Sequence, residues 1–388
     1  MEINQAYEFV NGATYEAIGE SVVIKEDLSN LVDAGEAIFN ANAVDRYVKA
    51  LVNRIGKTVF VNRIYDGFAP DIMMDGWEYG SVLQKVSTGL PEASVNESWE
   101  LVDGQSYDPN IFHQPKNIVV KFFNKYVVFE VDMSFTEDQL KMSFTSAVEM
   151  NGFISMLYTS IENSMTIKLD MLKMSTISNF IGETIYADFQ GDDTSSSSGV
   201  KAINLLWLYN DEANNTGTDL TPDKALSDPA FIRYAAYKIK VTHDRLRAMS
   251  KLYNIGGQPR FTPSDRCKIV MLSDFASAAD VYLQSDTFHN ELTKLPESSR
   301  VPYWQGSGQN YSFNDISTIN VKTSENNEVE QGGILCVMFD RFACGVNNVD
   351  RKVTSDYNAK AEFFTNFYKY KAGYFNDFNE NFVVFFIA

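Results

Sequence analysis

A lysine and a hydroxyl residue directly after a glycine are the residue types that end a phosphate-binding loop, and Gly56-Lys57-Thr58 matches that ending. The complete loop needs another glycine five residues before Gly56, because its backbone amides must wrap the phosphates. Leu51 occupies that position, inside a stripe of apolar residues at helical spacing. We therefore interpret Gly56 as a helix stop and predict no nucleotide site here.

Metal ligands and catalytic nucleophiles also lack a recognisable pattern. None of the histidines, His113, His243 and His289, has a histidine, cysteine or carboxylate at the spacing of a zinc site. Cys336 and Cys344 lie in predicted strands without a second pair, which favours buried thiols over ligands. No serine lies in a nucleophile-elbow sequence. The sequence thus predicts no catalytic, cofactor-binding or metal-binding residue, and we do not expect an enzyme.

Two pairs of neighbouring acids have structural interpretations. Asp192-Asp193 lies in a run of glycine and serine and is expected to be solvated. Glu137-Asp138 is predicted in the first turn of a helix, where negative charge is stabilised by the positive end of the helix dipole. Neither pair predicts acid–base catalysis.

The overall charge limits the class of partner. The 33 lysines and arginines against 51 aspartates and glutamates give a net charge of −18. Such a surface repels phosphate backbones, since nucleic-acid binding begins with clustered cations, so tight DNA binding is not expected. The 28 phenylalanines and 20 tyrosines predict a large core or extensive contacts between subunits.

The compartment is predicted from the cysteines and the apolar runs. Three cysteines do not indicate a disulfide framework, and the start of the chain lacks the pattern of a signal peptide. The apolar run Phe382–Ala388 is far shorter than the ~20 residues that span a bilayer. We expect folding in a reducing cytosol and no membrane association.

Two helices are predicted at the start of the chain. Apolar residues recur at helical spacing up to Gly19, and again up to Gly56, with the polar segment Glu26–Asn30 between them. This part is expected to be an extended arm that carries helices. The two stripes are Ile3, Ala6, Tyr7, Val10, Tyr15 and Ile18, then Val44, Tyr47, Val48, Leu51, Val52 and Ile55.

Strands follow the arm. Thr58–Tyr65, Trp77–Val86 and Ile118–Asp132 are rich in β-branched and aromatic residues, which favours extended structure. Gly89–Pro115 lies between the last two strands and is full of proline, glycine, asparagine and acids. The pattern predicts a projecting hairpin with a polar tip.

The strongest local signal predicts the start of a helix. Thr136 and Gln139 have the spacing of a capping box, and Phe135 and Leu140 enclose it as a hydrophobic staple. After a polar step, a stripe without proline or internal glycine covers Phe153–Ile181. It predicts one helix of about thirty residues, on the order of 45 Å long, which would serve as a spine.

A loop rich in glycine and serine, 191–199, is the best candidate for a domain boundary. Beyond it the pattern predicts a strand at Ile203–Tyr209, one helix or two in Asp228–Lys251, a strand at Lys268–Leu272 and a helix at Ser273–Thr287. This alternation is typical of a mixed α/β layer.

The end of the chain is predicted to return to strands after a loop-rich segment, 295–331. We expect the final strand to complete an earlier sheet, because this end is so rich in aromatic residues that it must pack against something. The predicted strands are Gly333–Asp340, Phe342–Val346, Tyr357–Tyr374 and Phe382–Ile387.

The order of arm, hairpin, long helix, α/β region and closing aromatic strand resembles the major capsid proteins of tailed bacteriophages, of the Hong Kong 97 type. Leu51–Thr58 followed by Arg63–Tyr65 is similar to the end of the N-terminal arm in a group of these subunits. Tyr357–Phe363 and Tyr374–Phe386 are similar to the C-terminus of the same group. The resemblance covers both ends well and the middle only by the order of elements.

The resemblance implies an α+β fold with four parts. Residues 1–66 would be the N-terminal arm and 67–134 the extended E-loop. Residues 135–190 together with 352–388 would form the peripheral domain, which holds the spine helix, and 191–351 the α/β axial domain. In such shells the axial domains meet around the symmetry axes, while the hairpin of one subunit lies over the peripheral domain of its neighbour.

The implied function is that of a major head protein, which self-assembles as hexamers and pentamers into an icosahedral shell around the phage genome. The implied partners are a separate scaffolding protein, since no coil-forming leader is seen, a portal protein and, as a further candidate, decoration proteins. Double-stranded DNA would be enclosed without sequence-specific binding. The implied location is the virion capsid, assembled in the cytoplasm of the bacterial host.

Two alternatives remain open from the sequence. An encapsulin-like shell of a cellular compartment would share the fold and enclose enzyme cargo. A soluble hydrolase or carbohydrate-active enzyme would need a catalytic constellation assembled from distant parts of the chain.

Overall fold

A computed structural model describes residues 3–19, 24–25, 29–41, 43–51, 67–74, 83–87, 102–104, 118–143, 147–214, 217–284, 298–306 and 310–388. Gly56, the predicted strand Thr58–Tyr65 and most of the predicted tip Gly89–Pro115 lie outside these residues.

Three helices, rather than the two predicted, lie in the described part of residues 1–66. Helix α1 (Ile3–Ile18) ends at Gly19, whose φ of 71° is left-handed, as its stop signal predicts. Helix α2 (Leu31–Asn40) follows, and the described part of α3 covers residues 44–51. The sequence pattern did not predict α2, because Ala34 and Gly35 are two of its four buried positions and give a weak apolar stripe.

The capping box is confirmed at the start of α4 (Glu137–Ser143). The backbone amide of Thr136 donates to Oε1 of Gln139 at 3.0 Å, and the amide of Gln139 donates to Oγ1 of Thr136 at 3.2 Å. Phe135 and Leu140, the predicted staple, are both buried. Two amides that a helix start would leave without acceptors are thereby satisfied.

The spine helix α5 (Ala147–Phe189) has 43 residues and is longer than predicted. At 1.5 Å per residue its length is about 65 Å. It ends where Gln190 and Gly191 adopt left-handed φ values of 53° and 92°. The predicted helix stops just before Gly182, whereas the actual helix continues through this glycine.

A three-stranded antiparallel sheet lies beside α5, with β11 (Phe363–Asn376) between β10 (Cys344–Asn358) and β3 (Tyr126–Thr136). The prediction of one strand over Tyr357–Tyr374 is wrong. The chain turns between β10 and β11, where Glu362 has a left-handed φ of 49°. The single strand predicted over Ile118–Asp132 is likewise divided, between β2 (Val119–Phe123) and β3.

A five-stranded mixed sheet has the order β4 (Ala202–Asn204), β12 (Phe382–Phe386), β9 (Ile334–Asp340), β5 (Cys267–Leu272) and β6 (Ser299–Val301). Strand β12 runs parallel to β4 and antiparallel to β9. The prediction that the final strand completes an earlier sheet is therefore confirmed. All residues of β9 and β12 are buried, as expected for a sheet covered on both faces.

Alternate residues of β12 enter two different cores. Phe382, Val384 and Phe386 belong to the core that includes α5, where the rings of Phe180 and Phe382 stack with centroids 4.1 Å apart. Val383 and Phe385 belong to a second core, formed with helices on the opposite face. Successive side chains of a strand point to opposite faces, so β12 packs against both cores. The fold therefore has three layers: α5, the five-stranded sheet and the helices of the second core.

The helices of that opposite layer are α6 (Leu205–Glu212), α7 (Pro222–Ala225), α8 (Pro229–Leu246) and α9 (Ser273–Gln284). The prediction of a strand over Ile203–Tyr209 is wrong after Asn204. The side chain of Asn204 accepts hydrogen bonds from the amides of Leu206 and Trp207 and begins α6 as its N-cap. Helix α8, β5 and α9 are confirmed close to their predicted bounds.

Short elements occupy the segment predicted as loop-rich. Helix α10 (Phe313–Ser317) precedes a small hairpin of β7 (Ile319–Lys322) and β8 (Glu328–Gln331). This hairpin packs on α5 at Gly182, where a Cβ atom would lie less than 3.0 Å from Cγ2 of Val321. Only glycine leaves room for so close an approach.

A separate two-stranded sheet pairs β1 (Leu83–Ser87) with β2 antiparallel, in the register Leu83 to Phe123. The prediction of a hairpin between these segments is confirmed. Among the described residues no third strand joins this pair.

Candidate functional site

The residues that the sequence singled out for chemistry do not converge. His113, His289 and the Gly56-Lys57-Thr58 segment lie outside the described residues. His243 lies on α8, and its Nδ1 is 3.8 Å from Asp244. In the described part of the chain, no group of three histidines, cysteines or acids has the geometry to hold a metal ion.

Cys336 and Cys344 are core residues, as predicted, whereas Cys267 is only partly buried. Cys336 and Cys344 are fully buried free thiols in β9 and β10. Burial raises the pKa of both thiols. Burial and the nearby charge of Asp340 raise the pKa of Cys267 to about 12. All three thiols are therefore protonated near neutral pH.

The β1–β2 hairpin instead presents an unusual outer face. Val86, Val120 and Phe122 project from it with exposed fractions of 58%, 41% and 64%. Val86 and Val120 are directly paired across the strands, and Phe122 is paired with Gln84. Three large apolar side chains on one face of a two-stranded sheet form a surface that water solvates poorly. We call this set the outer face.

The opposite face of the hairpin is attached to the body. The rings of Phe123 and Phe375 lie 5.1 Å apart, and Leu83 and Phe123 pack on a small core of Val349 and Phe375. Lys85 and Lys121 lie on this same face and are partly buried. The alternation of strand residues therefore divides the hairpin into an anchored face and the outer face.

Both lysines meet the loop that joins β11 to β12. Nζ of Lys85 lies 2.6 Å from Oδ2 of Asp377 and 2.7 Å from Oε1 of Glu380. Nζ of Lys121 lies 2.7 Å from Oδ1 of Asp377. Each oxygen of the Asp377 carboxylate thus binds one ammonium group. We call these four residues the ion cluster.

The carboxylate of Asp377 is buried, with 2% of its side chain exposed. Burial by itself would raise the pKa of Asp377. The charge of Lys85 and the hydrogen bonds from Lys121, Lys85 and a backbone amide outweigh burial and hold this pKa below its ordinary value. Asp377 is therefore ionised at neutral pH.

Sequence reasoning found the hairpin but missed both of these features. The outer face has a readable signal, since Val120 and Phe122 alternate with Val119, Lys121 and Phe123. The ion cluster has none, because Lys121 and Asp377 are 256 residues apart along the chain.

The family model for the Phi29-like phage major capsid protein matches residues 9–386, which is nearly the whole chain. The chain belongs to the Phi29-like phage major capsid protein family. The protein is thus a structural subunit of a phage head, as the resemblance at both ends implied. Its α+β fold of the Hong Kong 97 type is confirmed, and the encapsulin-like alternative has no support.

Two solved structures illustrate the likeness of this capsid protein to others. It is similar to a chain in the capsid of Staphylococcus phage Andhra, with 9% identity, a TM-score of 0.46, and coverage of 85% of this chain and 87% of that one. A chain in the capsid of the cyanophage P-SCSP1u has 11% identity and a TM-score of 0.46, over 85% and 92% of the two chains. No curated protein sequence matches this one. Across the described part of the capsid protein, no helix is long and apolar enough to cross a membrane.

Proposed function

We propose that this capsid protein self-assembles as hexamers and pentamers into an icosahedral shell around the phage genome, and that its outer face lies on a neighbouring subunit. The observation that carries the proposal is the exposed apolar triad Val86, Val120 and Phe122. A two-stranded hairpin is marginally stable alone, so one that also exposes apolar side chains gains by lying on a second surface. A closed symmetric assembly offers that surface to every copy.

Four parts of the chain take the roles that the resemblance implies. Residues 1–66 form the arm, 67–134 the E-loop, 135–190 with 352–388 the peripheral domain, and 191–351 the axial domain. Strand β10 runs through the boundary at 351/352, and β12 pairs with strands of 191–351. The proposed peripheral and axial domains are therefore joined by continuous β-structure and are expected to move little relative to each other.

The proposed partners beyond further copies are a scaffolding protein, a portal protein and decoration proteins. The net charge of −18 supports a wall that encloses DNA without sequence-specific binding. We propose assembly in the host cytoplasm and no catalytic activity, in keeping with the structural role of the family.

Replacing Phe122 tests the outer face. The full chain is co-expressed in bacteria with the scaffolding protein of the same phage, and shells are counted by electron microscopy and sedimentation. Phe122→Ser should reduce the yield of closed shells, because it removes the most exposed apolar group of the face. Phe122→Leu, the matched control, keeps the face apolar and should assemble.

The exposed position of Phe122 makes the result interpretable. The unassembled Phe122→Ser chain should unfold at the same urea concentration as the unmodified chain, since a surface substitution changes folding stability little. Normal shells from Phe122→Ser would overturn the proposed role of the outer face.

A further inference from the structure

The facing lysines of the hairpin pose an electrostatic problem. The register of β1 and β2 places Lys85 directly opposite Lys121, with both side chains on the anchored face. Like charges at directly opposed positions destabilise a strand pair. The hairpin therefore carries a built-in repulsion that it cannot relieve by itself.

Asp377 relieves this repulsion. Its two carboxylate oxygens receive the two ammonium groups separately, at 2.6 and 2.7 Å, and Glu380 supplies a second negative charge at 2.7 Å from Lys85. Two lysines and two carboxylates then lie within one partly buried cluster, and Nε of Arg260 lies 3.5 Å from the same Glu380 oxygen, Oε1. Such charge-assisted contacts are strong, and the loss of one member leaves a buried charge without compensation.

The carboxylate is held firmly by the body of the subunit. The amide of Asp377 donates to the carbonyl of Ala343 at 2.7 Å, and the carbonyl of Phe378 accepts from Gly256 at 2.7 Å. The amide of Asn379 donates to Oδ1 of Asp377 at 3.1 Å, which fixes the side chain as well. The loop 377–381 is thus a rigid support to which the hairpin docks.

We propose that Asp377 is the positioning residue of the hairpin: by neutralising the Lys85–Lys121 pair it sets both the pairing of the two strands and the direction in which the outer face points. The inference rests on the proposed function, in which that face contacts a neighbouring subunit. The small contact between Phe123 and Phe375 contributes buried apolar area. The ion cluster, by contrast, makes the pairing of β1 with β2 depend on contact between the hairpin and the loop 377–381. The closing loop of the chain thereby controls the element that contacts the neighbour.

Hydrogen–deuterium exchange of the unassembled full chain tests the proposal. Asp377→Asn keeps the shape of the side chain and removes its charge. Exchange in residues 83–87 and 119–123 should rise by roughly tenfold or more, because a charged hydrogen-bonded pair is lost, while exchange in β9 stays unchanged. Glu130→Gln is the matched control, since it breaks an exposed ion pair with Lys369 and should leave the hairpin protected.

Two further variants keep the test decisive if Asp377→Asn folds poorly. Lys121→Met removes the repulsion from the hairpin side without touching the core, so adding Asp377→Asn to Lys121→Met should raise exchange in the hairpin much less than Asp377→Asn does in the unmodified chain. The triple variant Lys85→Met, Lys121→Met and Asp377→Asn removes both the lysine–lysine repulsion and the carboxylate charge that offsets it. It should recover much of the hairpin's protection against hydrogen exchange. An equally large effect of Asp377→Asn in the Lys121→Met chain, or no recovery in the triple variant, would overturn the proposal.

The shell assay separates this inference from the proposed function. If Phe122→Ser abolishes shells while Asp377→Asn leaves the hairpin protected, the assembly role stands and the positioning role of Asp377 is refuted. If Asp377→Asn releases the hairpin while Phe122→Ser assembles normally, Asp377 positions the hairpin and the outer face is not an assembly surface.

Discussion

Gly182 offers the sharpest test of how the capsid protein is packed, because two physical effects predict opposite signs for Gly182→Ala. Alanine is better than glycine in a helix by about 1 kcal/mol, so propensity predicts stabilisation. The new Cβ, however, would lie less than 3.0 Å from Cγ2 of Val321, a buried valine in β7. Overpacking of this kind costs about 1–3 kcal/mol.

The steric effect should dominate, since a valine side chain is stiff at χ1 and Val321 is held in the β7–β8 ladder. We expect Gly182→Ala to lower the free energy of unfolding by about 1–2 kcal/mol. In a Val321→Ala background the obstructing methyl group is gone, and the remaining neighbours, Cβ of residue 321 and Cβ of Val329, lie at 3.7 and 3.9 Å. There the same substitution should stabilise by about 1 kcal/mol.

Urea unfolding of the unassembled chain, followed by circular dichroism, measures all four variants of this cycle. The expected coupling between positions 182 and 321 is about 2–3 kcal/mol, well above the ~0.5 kcal/mol within which independent sites add. Gly182→Ala that stabilises the unmodified chain, or that has the same effect in both backgrounds, would refute the steric explanation.

Three further outcomes are expected. Thr136→Ala should cost about 1 kcal/mol in urea unfolding, because the Gln139 amide loses its acceptor, whereas Thr136→Ser should be nearly neutral; equal losses would contradict the capping box. Trp304→Phe should lower the free energy of unfolding by about 1–3 kcal/mol in the same assay, because Nε1 of buried Trp304 donates to the carbonyl of Ile334 at 2.8 Å. An unchanged midpoint of urea unfolding would argue against that hydrogen bond. Burial raises the pKa of Cys344, so this thiol stays protonated at neutral pH and should resist alkylation until urea unfolds the chain. Mass spectrometry of the modified peptides measures the extent of alkylation. Rapid labelling of Cys344 in the folded chain would contradict the prediction.

Most elements were predictable because their signals lie within a few residues of one another. The capping box at Thr136 joins residues three apart, and the helical stripe before Gly19 extends over a few turns. Errors arose where a single side chain changes the local structure. Asn204 converts an apolar strand-like run into a helix start, and the turn before β11 divides a run that is aromatic on both sides.

The candidate surface was predictable only in part. The pairing of the two hairpin strands follows from composition, and the alternation of Val120 and Phe122 with Lys121 indicates two unlike faces. Which face is anchored depends on what lies beneath it, and the sequence does not order distant segments in space. The burial of Leu83 and Phe123 on the core of Phe375 is therefore a result of the tertiary structure alone.

By itself, the sequence determined the elements with local signals, the acidic charge and the resemblance to phage capsid proteins, since each depends on composition or on neighbours within a few turns. Only the tertiary structure decided that α5 continues through Gly182, because a close contact with Val321 makes glycine a packing requirement there rather than a stop. It likewise decided that Lys85 and Lys121 share one carboxylate, Asp377. Such contacts join residues more than a hundred positions apart, and their energy exists only after the chain has folded.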